Sequence, residues 1–215
     1  LHRRNKHVRY VVVFQNWLKP AGASFDHLHK QLVAIDEVGA DNESVLPKAV
    51  LDPGIFNRWG PDFAVEHGLV LACNEGAVMT VGFGHRYPSV EVWSTSRVDQ
   101  PWRVDDEGID AVSDLLHAAH VAVSDDVPAN EEWHYRPMGT GVTVPWRIIL
   151  KLRISTLAGF EGGTKIYVNT ISPAALAAML LPKLFQARAA GRIAPMDLGD
   201  ECEIPRGALA ATWVR

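Results

Sequence analysis

Apolar residues fall in short runs bounded by Gly, Pro, Asn and Asp, the pattern of strands joined by turns. The first run, 10–14, enters a loop carrying Pro20 and Gly22, and a second, 32–35, leaves it. Further strands are predicted at 69–73, 77–83 and 90–94, with Asn74, Glu75 and Gly76 as the hairpin turn between the first two. These three read as the start of a second antiparallel sheet. Residues 36–44 are acidic and turn-rich, and Pro47, Pro53, Gly54, Gly60 and Pro61 punctuate the stretch after them. Only short helical pieces are expected there, around 56–59 and 62–67.

Two longer helices stand out. Asp105, Asp106 and Glu107 suit a helix N-terminus, and Ile109, Val112, Leu116, Ala119 and Val123 form one apolar stripe behind them. Ser172 and Pro173 supply an N-cap hydroxyl and a first-turn proline for the second helix, whose inner face carries Leu176, Met179 and Leu180. Pro182 should bend or interrupt it before 183–190 continue, and the tail from 191 carries a short strand at best. The fold class is α+β, an antiparallel sheet with helices packed on one face.

Composition narrows the class without naming a function. With 215 residues, 47% hydrophobic and 21% charged, the chain can bury one large or two small cores. A net charge of -4 argues against a nucleic-acid surface, the short basic run at 2–9 notwithstanding. Cys73 and Cys202 are far apart in sequence and have no Cys-x-x-Cys partner, so neither a disulfide framework nor a cysteine zinc site is signalled, and a reducing cytoplasm fits. No apolar run approaches a membrane span, so no membrane partner is expected.

The candidate chemistry sits where the first loop passes into its second strand. Alternation along a strand sets His27, His29 and Gln31 on one side, with Asn16 and Ser24 nearby. Two imidazoles and an amide facing one space suit phosphate chemistry, since neutral imidazole is a nucleophile and amides hold oxyanions. A His-x-His alone is equally the mark of two hydrogen-bonded strand histidines.

The order Phe14, Asn16, Gly22, Ser24, His27, His29, Gln31 resembles the active-site segment of the galactose-1-phosphate uridylyltransferase branch of the histidine-triad (HIT-like) superfamily. That branch reads roughly Phe-x-Asn-x-Gly-x-x-x-Gly-x-Ser-x-x-His-Pro-His-x-Gln. Leu28 stands here in place of its Pro, and Trp17, Leu18 and Lys19 in place of a small turn. The resemblance implies a nucleophilic His29, phosphate contacts from Gln31 and Ser24, substrate contact from Asn16, and His27 as a metal ligand, with zinc as the metal, or as an orienting residue. Gln31 at the place of a third His favours transfer over hydrolysis, because a His there could protonate a leaving group and Gln cannot.

A second block supports the same likeness. It runs from Trp133 and His134 through Trp146 to Gly159, Phe160 and Glu161. By resemblance Glu161 grips sugar hydroxyls, with Lys165 and Asn169 as weaker contacts. Relatives place a second metal on a His-x-His of the strand led by Trp146; Ile149 and Lys151 occupy those positions here, so no second metal is expected. His85 and Arg86 read as substrate contacts or as an ordinary surface loop, and His117 with His120 as a helical metal pair or as packing and surface residues.

The likeness implies a HIT-like sheet in which 1–66 close one half and 67–215 form a second, a chain that begins at Leu1 and lacks a preceding part. The implied activity is a nucleotidyltransferase working on nucleotide sugars or sugar phosphates through a nucleotidyl-histidine. A hydrolase, a phosphorylase or a non-catalytic nucleotide binder are its rivals. A homodimer, or association with the missing segment, is expected, because the strand at 10–14 should leave an exposed edge.

Overall fold

A computed structural model describes residues 1, 4–25 and 27–209. Its centre is a sheet of eight antiparallel strands in the order β2-β1-β6-β7-β5-β4-β3-β8. The strands are β1 (Tyr10–Trp17), β2 (Gln31–Ile35), β3 (Val70–Cys73), β4 (Ala77–Gly82), β5 (Ser89–Ser94), β6 (Ala129–His134), β7 (Arg147–Leu152) and β8 (Asp197–Leu198). The helices are α1 (Ala40–Leu51), α2 (Ile55–Arg58), α3 (Pro61–Glu66), α4 (Asp106–Val123), α5 (Gly159–Thr164) and α6 (Pro173–Ala189).

Hydrophobic alternation sets the two faces. Val90 and Val92 of β5 stand across from Leu150 and Ile148 of β7, and all four join Val112, Leu115, Ala119 and Leu184 in the main core, under α4 and α6. Trp93 and Glu91 point the other way, where Trp93 meets Ala49 and Phe56 of α1 and α2 in a second cluster. Helices therefore cover parts of both faces, not one face as the sequence suggests. The stripe on α4 also shifts: Leu115, Ala118 and Ala122 are buried with Val112, Ala119 and Val123, whereas Ile109 and Leu116 are only half-buried.

The strands after residue 67 extend the first hairpin instead of opening a second sheet. β1 pairs with β2 on one side and β6 on the other, through Phe14↔Gln31 and Asn16↔Asn130. The edge expected at 10–14 is thus covered, and the outer strand at this side is β2, where Leu32 and Val33 are exposed. The acidic stretch read as a connection also folds, into α1. Asp41 and Glu43 lie in its first turn, favourably for the helix dipole, and the buried Asn42 amide donates to the Val38 carbonyl at 2.6 Å. Pro47 and Pro182 each sit inside a continuous helix, so neither acts as the terminator that its residue type suggests.

Asp105 caps α4 by accepting from the Gly108 N–H, and Ser172 caps α6 by accepting from the Ala175 N–H. Cys73 and Cys202, distant in sequence, meet near β8: Asp197 faces Cys73 across the ladder and its carbonyl accepts from the Cys202 thiol. Both are free cysteines, and burial pushes both thiols up, away from the reactive thiolate form. Among the described residues no helix is long and apolar enough to cross a membrane.

Candidate active site

The segment between β1 and β2 is built to reverse the chain sharply. A short 3-10 turn over Lys19–Ala21 ends on Gly22, whose φ of 89° lies in the left-handed region that glycine tolerates best. Its N–H returns to the Lys19 carbonyl. The ladder with β1 begins only at Gln31, so His27 and His29 lie in the extended approach to β2 and not within the strand.

Lys30 fixes which way that approach faces. Its ammonium reaches the Glu131 carboxylate, which also accepts from His120 of α4 and from the Trp133 indole. Glu131 therefore points to the face that carries α4. By alternation Gln31, which pairs with Phe14, turns to the opposite face, which also holds Asn16 and its cross-strand partner Asn130, and His29 stands two residues before it in the approach to β2. Burial alone would raise the Glu131 carboxyl; the His120 and Trp133 hydrogen bonds and the Lys30 charge more than reverse this and hold it at about 2. His120 is thus engaged by a carboxylate, not paired with His117 around a metal. Both histidines line a 550 Å³ cavity behind the motif, with Trp17, Leu28 and Lys30.

His29 is half-buried and stacks on Phe25, the ring centroids 5.0 Å apart. Its Nδ1 lies 2.6 Å from the His27 carbonyl oxygen. A carbonyl only accepts, so Nδ1 carries the proton, and in the neutral ring Nε2 holds the lone pair. Ser24 and His27 are exposed, and Gln31 is half-buried. The His27 ring stands 6.4 Å from that of His29. Among the described residues no three His, Cys, Asp or Glu are grouped to hold a metal ion.

The same face carries a network that sequence reading missed. The Asn130 amide donates to Asn16 Oδ1 and to the Ala21 carbonyl, each at 2.7 Å, and its own oxygen accepts from Arg153 Nη1 at 2.8 Å. The Arg153 guanidinium lies over Tyr87, 4.5 Å from the ring centroid. The two sequence blocks therefore converge at one end of the sheet, through Asn130. Only cross-strand register brings Asn16, Asn130 and Arg153 together, and nothing in their local sequence marks it.

Further along this face, Lys151 donates to Glu132 at 2.6 Å, and His134 Nε2 stands 3.6 Å from the same carboxylate. An ammonium thus sits against this carboxylate, from one of the two positions where relatives carry the His-x-His. Burial lowers His134, against the opposing pull of the neighbouring Glu132 carboxylate. Burial would raise Glu132, but His134 and Lys151 overcome it and hold that carboxyl at about 2. Near β4 and β5, His85 is bound to the buried Glu91 at 2.8 Å, so it is a structural partner of that carboxylate.

Glu161, Lys165 and Asn169 follow β7, and their hydrogen bonds stay within that segment. The Glu161 carboxylate accepts from the Ala158 N–H at 3.0 Å, the Lys165 N–H closes α5 on the Glu161 carbonyl, and Asn169 accepts from the Ile171 N–H. None of these bonds reaches His29. Arg86 lies 4.2 Å from the centroid of the Tyr167 ring, tying this segment to the loop before β5.

A sequence profile described as a domain of unknown function (DUF4921) matches residues 1–211. No curated protein matches the chain by sequence. Among solved structures, the fold is similar to that of an ADP-glucose phosphorylase from Arabidopsis thaliana with bound ADP-glucose, at 22% identity and a TM-score of 0.71, over 83% of this chain and 59% of that one. A GalT-like protein from the same plant shares 22% identity, with a TM-score of 0.70 over 83% of this chain and 62% of the other. A uridylyltransferase structure follows at 19% identity and a TM-score of 0.67, over 84% and 62% of the two chains. The α+β antiparallel sheet is thus the fold shared with these structures, and the chain spans about three fifths of the length of the first two.

Proposed function

The chain belongs to the DUF4921 family, and on that footing we propose that it carries the histidine face of a nucleotidyltransferase acting on nucleotide sugars or sugar phosphates. The single observation that supports this most is the His29 Nδ1 contact with the His27 carbonyl, which leaves Nε2 with the lone pair a nucleophile needs.

In this reading Nε2 attacks the α-phosphorus of a nucleotide sugar. An N–P bond forms, the P–O bond to the β-phosphate breaks, and sugar 1-phosphate leaves with the electron pair. An oxygen of a second sugar phosphate then attacks the same phosphorus, and the P–N bond breaks with its electrons returning to Nε2. Gln31 and Ser24 hold phosphoryl oxygens, Asn16 contacts substrate, and Glu161 with Lys165 and Asn169 holds the sugar. Gln31 has no proton to give a leaving group, which favours transfer. Phosphorolysis differs only in that orthophosphate is the second attacker, and the fold likeness to a phosphorylase keeps it as the alternative.

The outer edge of β2, which has no strand partner among the described residues and carries the exposed Leu32, is where a second copy would pair. A cytoplasmic setting fits the two free cysteines. Intact-mass measurement after incubation with a panel of nucleotide sugars tests the reaction. A nucleoside monophosphoryl adduct mapped to His29 supports it, and adducts on no substrate or on another residue reject it.

A further inference from the structure

We propose that Arg153 is the anion site of the His29 face and takes the phosphate of the molecule that leaves or attacks the nucleotidyl-histidine. This rests on the reading of His29 given above.

Charge pairing carries the inference. Arg136, Arg147, Lys151 and Arg188 are half-buried, and each meets a carboxylate, respectively Asp99, Glu91, Glu132 and Glu201. Arg153 is equally half-buried, yet among the described residues no carboxylate stands within ion-pair distance of it. Its side chain meets a neutral amide, Asn130, and the face of Tyr87, and its buried Nε has no hydrogen-bond partner. A guanidinium drawn out of water without a counter-charge is costly, and a ligand anion supplies what the fold omits.

Placement identifies the anion. Asn130 bonds Arg153 on one side and Asn16 with Ala21 on the other, so one amide separates the guanidinium from the loop that leads into His29. Tyr87 and Asn130 hold the guanidinium in a fixed orientation, and its planar fork matches phosphate oxygens. The ligand class is a terminal phosphate, either a sugar phosphate or orthophosphate.

Glucose 1-phosphate and inorganic phosphate titrated separately into the protein, with the Arg153 Nε–H resonance and calorimetry as readouts, test the site. We expect saturable binding that shifts this resonance, and Arg153→Gln should weaken it by about ten-fold or more, as for a lost charged hydrogen bond. Tighter glucose 1-phosphate binding supports the site with transfer, and tighter orthophosphate binding supports it with phosphorolysis. No shift of the Arg153 resonance by either probe in the wild-type protein overturns the proposal whether or not the variant folds, and so does unchanged affinity in a folded Arg153→Gln protein. The His29 adduct is read independently: its absence with phosphate binding intact fails the catalytic reading alone, and its presence without phosphate binding fails this proposal alone.

Discussion

His29 donates its Nδ1–H to the backbone oxygen of His27, 2.6 Å away, so a residue two positions upstream sets the tautomer of the candidate nucleophile. The contact uses the main chain, and it is independent of the side chain at 27. His29→Asn keeps an amide donor near the Nδ1 position for that carbonyl and removes the nucleophilic nitrogen. It should abolish the nucleotidyl adduct while the unfolding free energy changes by less than about 1 kcal/mol, as for substitutions away from a packed core. His27→Ala should keep adduct formation. Mass spectrometry with denaturant unfolding of both variants checks the pair.

Glu131 should make the fold acid-sensitive. Its carboxyl lies at about 2 in the folded protein against an ordinary 4.5, so the linked stability is fully present above about pH 4.5 and is lost as pH falls toward 2. The side chain is 1% exposed, and the shift corresponds to roughly 3 kcal/mol. Glu131→Gln should lose about that much at pH 7 and converge with the wild type near pH 2. Urea unfolding across that range measures it, and a constant difference at every pH would contradict the linkage.

These two residues show what could and could not be read from the chain. His29 and Gln31 announce themselves because their spacing is local. Asn130, Glu131 and Arg153 acquire their roles from strands more than a hundred residues from the motif loop, or from a pairing across β6 and β7, and single-sequence patterns hold no record of register. The strands at 10–14, 32–35, 69–73, 77–83 and 90–94 and the cap Ser172 were legible, since turn residues and a hydroxyl cap act within a few positions, whereas β6, which carries Asn130, was not. The helix α1 was hidden by Pro47, whose usual effect tertiary packing overrides, Ala49 being fully buried.

Lys151 holds its ammonium against Glu132, with His134 beside the same carboxylate, and so stands where a cation would sit. Lys151→His would set three potential ligands around that position, enough for zinc with water as the fourth. The variant should take up one equivalent of zinc more than its parent, and a chelator should lower its melting temperature without affecting the parent. Equal zinc content in the two proteins would show that the side chains do not converge.

Glu161 has two possible duties that variants can separate. Its carboxylate already accepts the Ala158 N–H and so stabilises the start of α5, and those backbone hydrogen bonds, at its own N–H and at Ala158, hold it below the usual carboxylate range. A sugar contact requires in addition that the carboxylate reach vicinal hydroxyls, which a charged acceptor binds more strongly than a neutral one. Glu161→Gln keeps an oxygen for the helix start and removes the charge; Glu161→Ala removes both. If Glu161 holds the sugar, both variants should bind nucleotide sugar several-fold more weakly and bare nucleotide unchanged. If it serves only the helix, Glu161→Gln should bind like the wild type. Arg86→Ala, which frees Tyr167 and loosens the segment from the loop before β5, should reproduce the weaker sugar binding without touching Glu161 itself. Calorimetric titrations of a nucleotide sugar and its parent nucleotide against the three variants decide between the duties.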